Sequence, residues 1–258
     1  MMDFVWQYIY GPSAWRKIGM FNELEYSIRS VKKYFPDPRC IVLGDEPIGL
    51  KQDVIHIPGP SRVDEHYSKQ KQHVDKLRKM TEMANNPLIG DEFVLMYDDI
   101  FLLKETSLED LKINWARAEI NNIDDYMKSG LRLGDRSYKK IWRATYEFIK
   151  MIRDSEGKKT YDWETHTPRF INKAKLRELL NKWDLETNPK IVTAIYDGYH
   201  ADNTKIITKD IQSDLWTHKP GMDFDKEFNK HYMNIYDDII VPEFVDKMAQ
   251  KFGNGGLI

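Results

Sequence analysis

A hydrophobic run ends in two carboxylates within Asp91-Glu-Phe-Val-Leu-Met-Tyr-Asp-Asp-Ile-Phe-Leu-Leu-Lys104, and there the chain first offers chemistry. Phe93 to Met96 form a short continuous apolar run, as a strand covered on both faces does, and Ile100 to Leu103 resume it. Asp98 and Asp99 therefore fall at the carboxyl end of a buried strand, the edge at which open α/β sheets bind ligands. Two carboxylates held close together suit a hard divalent cation, magnesium or manganese, that neutralises a phosphate. The competing reading is a plain strand-ending turn with two solvated acids. Alternation sends Phe93, Leu95 and Tyr97 one way and Val94, Met96 and Asp98 the other. Set in the frame of an Asp-x-Asp metal motif, Tyr97 takes the first slot, Asp98 the middle and Asp99 the last. Asp99 is then the expected direct ligand, with Asp98 either sharing the ion or contacting a sugar. The tetrapeptide Tyr-Asp-Asp-Ile recurs at Tyr236 to Ile239. Its preceding residues, Lys230-His-Tyr-Met-Asn, do not read as a buried strand, so Asp237 and Asp238 are expected to be a decoy.

His166 stands in Glu164-Thr-His-Thr-Pro-Arg169, among polar residues rather than on an apolar face. A histidine so placed either ligates the metal or acts as general base toward an acceptor hydroxyl, its unperturbed pKa lying near neutrality. His200, in Tyr196-Asp-Gly-Tyr-His200, and His218, in Trp216-Thr-His-Lys-Pro220, compete for that place, while His56 follows an apolar strand and reads as structural. The chain has no Walker loop, no Gly-x-Gly-x-x-Gly, no Gly-x-Ser-x-Gly and no cysteines at zinc spacing. Kinase, dehydrogenase, serine-hydrolase and zinc-finger readings lose ground accordingly.

Such groups need a sheet to hold them, and the chain reads as one. Phe4 to Tyr10 has strand character and breaks at Gly11-Pro-Ser13, a Gly/Ser loop suited to nucleotide contact. Asn22 to Phe35 places Leu24, Ile28, Val31 and Phe35 at helical spacing, and its Asn22 and Arg29 are candidates to line a pocket beside Tyr10, Gly11 and Ser13. Arg39 to Leu43 and Asp53 to Ile57 supply two more strands. Ser68 to Ala84 is helical and basic; as a solvated face it needs no role, and otherwise Lys69, Lys76 or Arg78 contacts diphosphate or a polyanion. Residues 112 to 160 read as a partly helical insertion with a helix near Ser137 to Arg153, and Trp163 is a candidate to stack on a sugar ring. A further helix runs from Asn172 to Trp183, and Lys190 to Tyr196 has strand character. The whole predicts a single α/β domain over residues 1 to 258, a mixed Rossmann-like sheet flanked by helices.

The 258 residues, 41% hydrophobic and 31% charged, can bury a sizeable core. A net charge of −2 gives no global pull toward nucleic acid or membrane. Cys40, alone, excludes an intramolecular disulfide and fits a reducing, cytoplasmic compartment. Neither a signal peptide nor a membrane span is expected.

The stretches Tyr8-Ile-Tyr-Gly, Asn22-Glu-Leu-Glu-Tyr-Ser-Ile-Arg-Ser-Val31, Phe93-Val-Leu-Met-Tyr-Asp-Asp-Ile-Phe101 and His166-Thr-Pro168 occur in an order that resembles GT-A-type nucleotide-sugar transferases, most of all the Stealth group of sugar-phosphate transferases. The resemblance implies a GT-A fold, a UDP- or other NDP-sugar donor, a saccharide or other hydroxyl acceptor, and Mg2+ or Mn2+. It carries Asp99 over as metal ligand, Asp98 as its partner with a catalytic part, His166 as the catalytic histidine, and Arg29 as support for the donor site. Tyr97 stands where the Stealth group has Asn, and Glu25 where it commonly has Arg, so the broader expectation is sugar transfer. The alternatives are sugar-1-phosphate transfer in polysaccharide synthesis, glycosylation of modified phage DNA, which the net charge disfavours, and a non-catalytic glycan-binding module.

Overall fold

In the computed structural model, described over residues 1–9, 22–47, 53–59, 69–128, 136–185 and 190–253, the apolar runs assemble a mixed α/β sheet. Strand β1 (Met2–Tyr8) is followed by helix α1 (Glu23–Tyr34), β2 (Pro38–Gly44), β3 (Ile55–Pro58), α2 (Lys69–Asn85) and β4 (Glu92–Met96). After β4 come β5 (Ile100–Leu102), the short α3 (Leu108–Leu111), β6 (Asn114–Ala116), α4 (Ile123–Lys128), α5 (Arg136–Ser155) and β7 (Arg169–Asn172). The remainder comprises α6 (Lys173–Lys182), α7 (Val192–His200), β8 (Thr204–Ile206), β9 (Gln212–Leu215), α8 (Phe224–Glu227), β10 (Tyr232–Ile235) and α9 (Pro242–Phe252). Asn22, Ser107 and Asn172 cap α1, α3 and α6 with their side chains.

The main sheet runs β3-β2-β1-β4-β7, parallel throughout except for the antiparallel edge strand β7. Its strands alternate as period two demands. Val5, Ile41, Leu43, Phe93 and Leu95 face one layer with α2, α5, α6 and α7, while Phe4, Trp6, Val42, Val94 and Met96 face α1. A second sheet, β5-β10-β9, packs with α9 around Phe101, Met233 and Phe244, and β6 pairs with β8. At the carboxyl edge of the main sheet Gly44 is indispensable: its φ is +133°, and an added Cβ would lie 2.1 Å from the Tyr8 carbonyl. Among the described residues no helix is long and apolar enough to cross a membrane.

Two sequence expectations fail here. Lys190 to Tyr196 is not a strand; Val192 opens α7, whose residues 192–198 are all buried. An apolar run covered on every side carries no period, so strand and helix look alike. The segment before Ile235 is a buried strand after all, because Tyr232, Met233, Asn234 and Ile235 are all enclosed and only Lys230 and His231 outside it are charged or titratable.

Candidate active site

The turn Tyr97 to Asp99 joins β4 to β5 and is closed by the Ile100 N–H donating to the Tyr97 carbonyl at 3.2 Å. Helix α1 clamps it from below. Ser27 Oγ accepts from Trp6 Nε1 at 2.8 Å and donates to the Ile100 carbonyl at 2.5 Å, while Ser30 Oγ accepts from Leu102 N–H at 3.0 Å.

Because β7 runs antiparallel to β4, with Arg169 opposite Leu95, the residues just before β7 pass the carboxyl end of β4. His166 is thereby set against the turn, its Nδ1 2.9 Å from Asp99 Oδ2. An ionised carboxylate only accepts, so with Asp99 ionised Nδ1 carries the proton, and in the neutral imidazole Nε2 is then the acceptor. Asp98, half-buried beside them, has its carboxyl pushed up to about 7 by burial and then by the charge of Asp99. The loop that carries His166 is fixed by Arg169, whose guanidinium donates to the Trp163 and Thr165 carbonyls and lies 3.4 Å from Asp197.

The second Tyr-Asp-Asp-Ile reaches the same place, which overturns the decoy expectation. Antiparallel pairing sets Asn234 opposite Ile100, and the Ile235 N–H donates to the Asp99 carbonyl at 3.2 Å. Tyr236 and Asp238 consequently line the cleft. The His166 ring sits between the two tyrosines, 6.2 Å from Tyr97 and 5.9 Å from Tyr236.

The cleft encloses about 800 Å3. From α2, His73, Lys76 and Lys79 line it, with the Lys76 ammonium 4.8 Å over the Tyr97 ring and Lys79 paired to Asp75. The basic helix is thus more than a solvated face, although Arg78 is not among the lining residues. Arg117, Glu164 and Arg169 add further charge. Burial opposes ionisation of Glu164, yet Arg169, Lys76, His166 and Arg117 outweigh it and hold its carboxyl low. Among the described residues, three buried polar atoms of the wall, Gln7 Oε1, Glu164 Oε1 and Arg169 Nη1, have no hydrogen-bond partner, although Glu164 Oε1 lies 3.7 Å from Arg169 Nη2.

Of the sequence candidates, Asp98, Asp99 and His166 come together. Asn22 spends its side chain on capping α1, Arg29 bonds Glu25 and the Gly253 carbonyl, and neither lines the cleft. Tyr10, Gly11 and Ser13, and the side chain of Lys69, lie outside the described residues. His200 bonds the Lys175 carbonyl and His218 stacks on Phe224, so neither competitor enters the cleft. Trp163 is fully buried under Arg153 and cannot stack on a ligand. Sequence reasoning missed Arg117, Arg169, Trp216 and Tyr236; of these Arg169, three residues after His166, and Tyr236, in the repeated Tyr-Asp-Asp-Ile, carried a local signal.

These features define an α/β protein with an acid–histidine cleft at the carboxyl end of its parallel strands. No family model matches the chain, and no curated protein matches it. Among solved structures it is similar to an active-site mutant of LgtC, at 14% identity over 96% of this chain and 95% of that one, with a TM-score of 0.47. It is likewise similar to the galactosyltransferase LgtC in complex with donor and acceptor sugar analogues, at 13% identity over 98% and 95%, with a TM-score of 0.47. At that distance the site stands on its own geometry.

Proposed function

We propose that the chain is a metal-dependent glycosyltransferase of GT-A type, moving a sugar from a nucleotide-diphosphate sugar to a saccharide hydroxyl in the cytoplasm. The observation that carries the reading is the Asp99–His166 contact beside Asp98, in a cleft whose α2 wall presents Lys76 and Lys79.

The donor set suits magnesium or manganese. Among the described residues no three His, Cys, Asp or Glu side chains are grouped to hold a metal by themselves. Asp98 and Asp99 are the one or two carboxylates such a cation takes from a protein, the rest of its shell coming from phosphate and water. Asp99 and Asp98 would hold it, and it would supply charge stabilisation on the departing nucleotide. The protein's own groups do the remainder. Lys76 adds positive charge to the wall that would meet a diphosphate, and the Arg169–Glu164 pair lines the same cleft. Asp99 keeps the proton of His166 on Nδ1, so that Nε2 faces an acceptor hydroxyl as general base.

A thermal-shift screen of nucleotide sugars with and without manganese tests the reading. At least one should raise Tm only when manganese is present, and Asp99→Ala should abolish both that rise and donor turnover. A manganese-dependent rise that survives in Asp99→Ala removes the metal role. Product analysis then separates chemistries: a nucleoside diphosphate by-product marks glycosyl transfer, whereas a nucleoside monophosphate marks Stealth-type transfer of a sugar phosphate.

A further inference from the structure

Trp216 is 49% exposed, a large hydrophobic side chain left open to water at the cleft. It has a structural cause. β9 and β10 run parallel with Leu215 opposite Ile235, so Trp216 and Tyr236 are the equivalent next residues past two neighbouring strand ends. Their rings stack, with centroids 3.9 Å apart and planes 17° from parallel. One indole face is covered by Tyr236, and Tyr236 in turn borders His166. The pair therefore forms a flat, rigid shelf that ends at the proposed base.

The two sides of the cleft differ in charge. On the α2 side, Lys76 offers a cation to phosphate, while Lys79 is paired to Asp75. Next to Trp216 in the lining stand Thr217, Ile235, Tyr236 and Asp238, with Arg117 acting on Tyr236. Asp238 and the Thr217 hydroxyl can accept hydrogen bonds from neutral hydroxyls, and the C–H face of a pyranose packs on an aromatic plane in the same way as other apolar surface.

We propose that Trp216, stacked on Tyr236, is the acceptor subsite of the cleft, a platform for a neutral hexose ring of a saccharide. The assignment deepens the glycosyltransferase reading and rests on it for the word acceptor. A sugar seated there lies beside His166, where Nε2 can take the proton of one hydroxyl.

Saturation-transfer NMR on the whole protein, with lactose, maltose, cellobiose and chitobiose as probes, tests it. At least one disaccharide should receive saturation on the C–H protons of one ring, its affinity should fall about tenfold in Trp216→Ala, and Trp216→Tyr should restore most of it. Three results overturn the proposal: no disaccharide receives saturation from the wild type, the signal persists in Trp216→Ala, or uridine or oligothymidylate takes the Trp216-dependent signal instead. The readout is separate from donor binding. A manganese-dependent shift with a nucleotide sugar but no Trp216-dependent disaccharide signal fails the platform and leaves the transferase standing. The reverse pattern keeps the platform and fails the transferase.

Discussion

Asp98 and Asp99 share a turn but not a partner. Asp99 accepts from His166, whereas Asp98 is held by backbone N–H groups of the turn while burial and its neighbour's charge lift its carboxyl to about 7. An unfolded chain releases the same proton near pH 4. Between about 4 and 7 the folded protein thus binds a proton that the unfolded chain does not, and this contribution to stability is lost as pH rises through the folded value. Asp98→Asn is uncharged throughout and should flatten that dependence: the urea midpoint of the wild type falls more steeply between about pH 5 and about pH 7.5 than that of the variant. Parallel falls in the two proteins would show that Asp98 does not hold the proton. Manganese affinity should move the opposite way, rising across the same window, because the cation must displace that proton.

At the scale of elements, α1 shows how a motif can be read correctly and assigned the wrong task. Its apolar spacing and Asn22 cap made the helix legible, as Asn172 did for α6. The run Ser27-Ile-Arg-Ser30 suggested ligand contact through Arg29. Its serines instead hold the Asp98–Asp99 turn, through bonds separated by more than 70 residues in sequence that no periodicity announces. α7 was hidden because it is buried almost all round, and β10 because Asn234 looks like a surface residue although Gln212 and Asp214 satisfy it internally. Ser27→Ala strips the buried Trp6 N–H and the Ile100 carbonyl of their partner. The expected cost is about 1–3 kcal/mol, read as a Tm drop of roughly 2–4 °C for each kcal/mol, together with weaker manganese binding as the turn loosens. An unchanged Tm would mean that water replaces the hydroxyl and that α1 does not anchor the turn.

At the scale of the molecule, the cleft is assembled from β1, α2, the β4–β5 turn, the residues before β7, and the ends of β9 and β10. Only its first acid pair, Lys76 and His166 are local enough to read from sequence; Trp216 and Tyr236 enter through the second sheet and Arg117 follows β6 of the β6-β8 pair, and both pairings depend on strands far apart in the chain. That sheet reaches His166 by a chain of amides. Asp214 accepts from Asn234 Nδ2 at 2.8 Å, Asn234 Oδ1 accepts from Gln212 Nε2 at 2.7 Å, and the same Nε2 donates to the His166 carbonyl at 2.7 Å. Gln212 is accordingly a positioning residue. Gln212→Ala keeps the Asp99 and His166 side chains but frees the backbone of His166, and a small displacement of a catalytic base is costly in rate. We expect kcat to fall about tenfold with donor KM little changed, against a loss of about 10²-fold or more for His166→Gln. If Gln212→Ala lowers Tm while kcat holds, the second sheet supports the cleft without orienting its histidine. If donor KM rises and kcat holds, the amide chain serves the donor side instead.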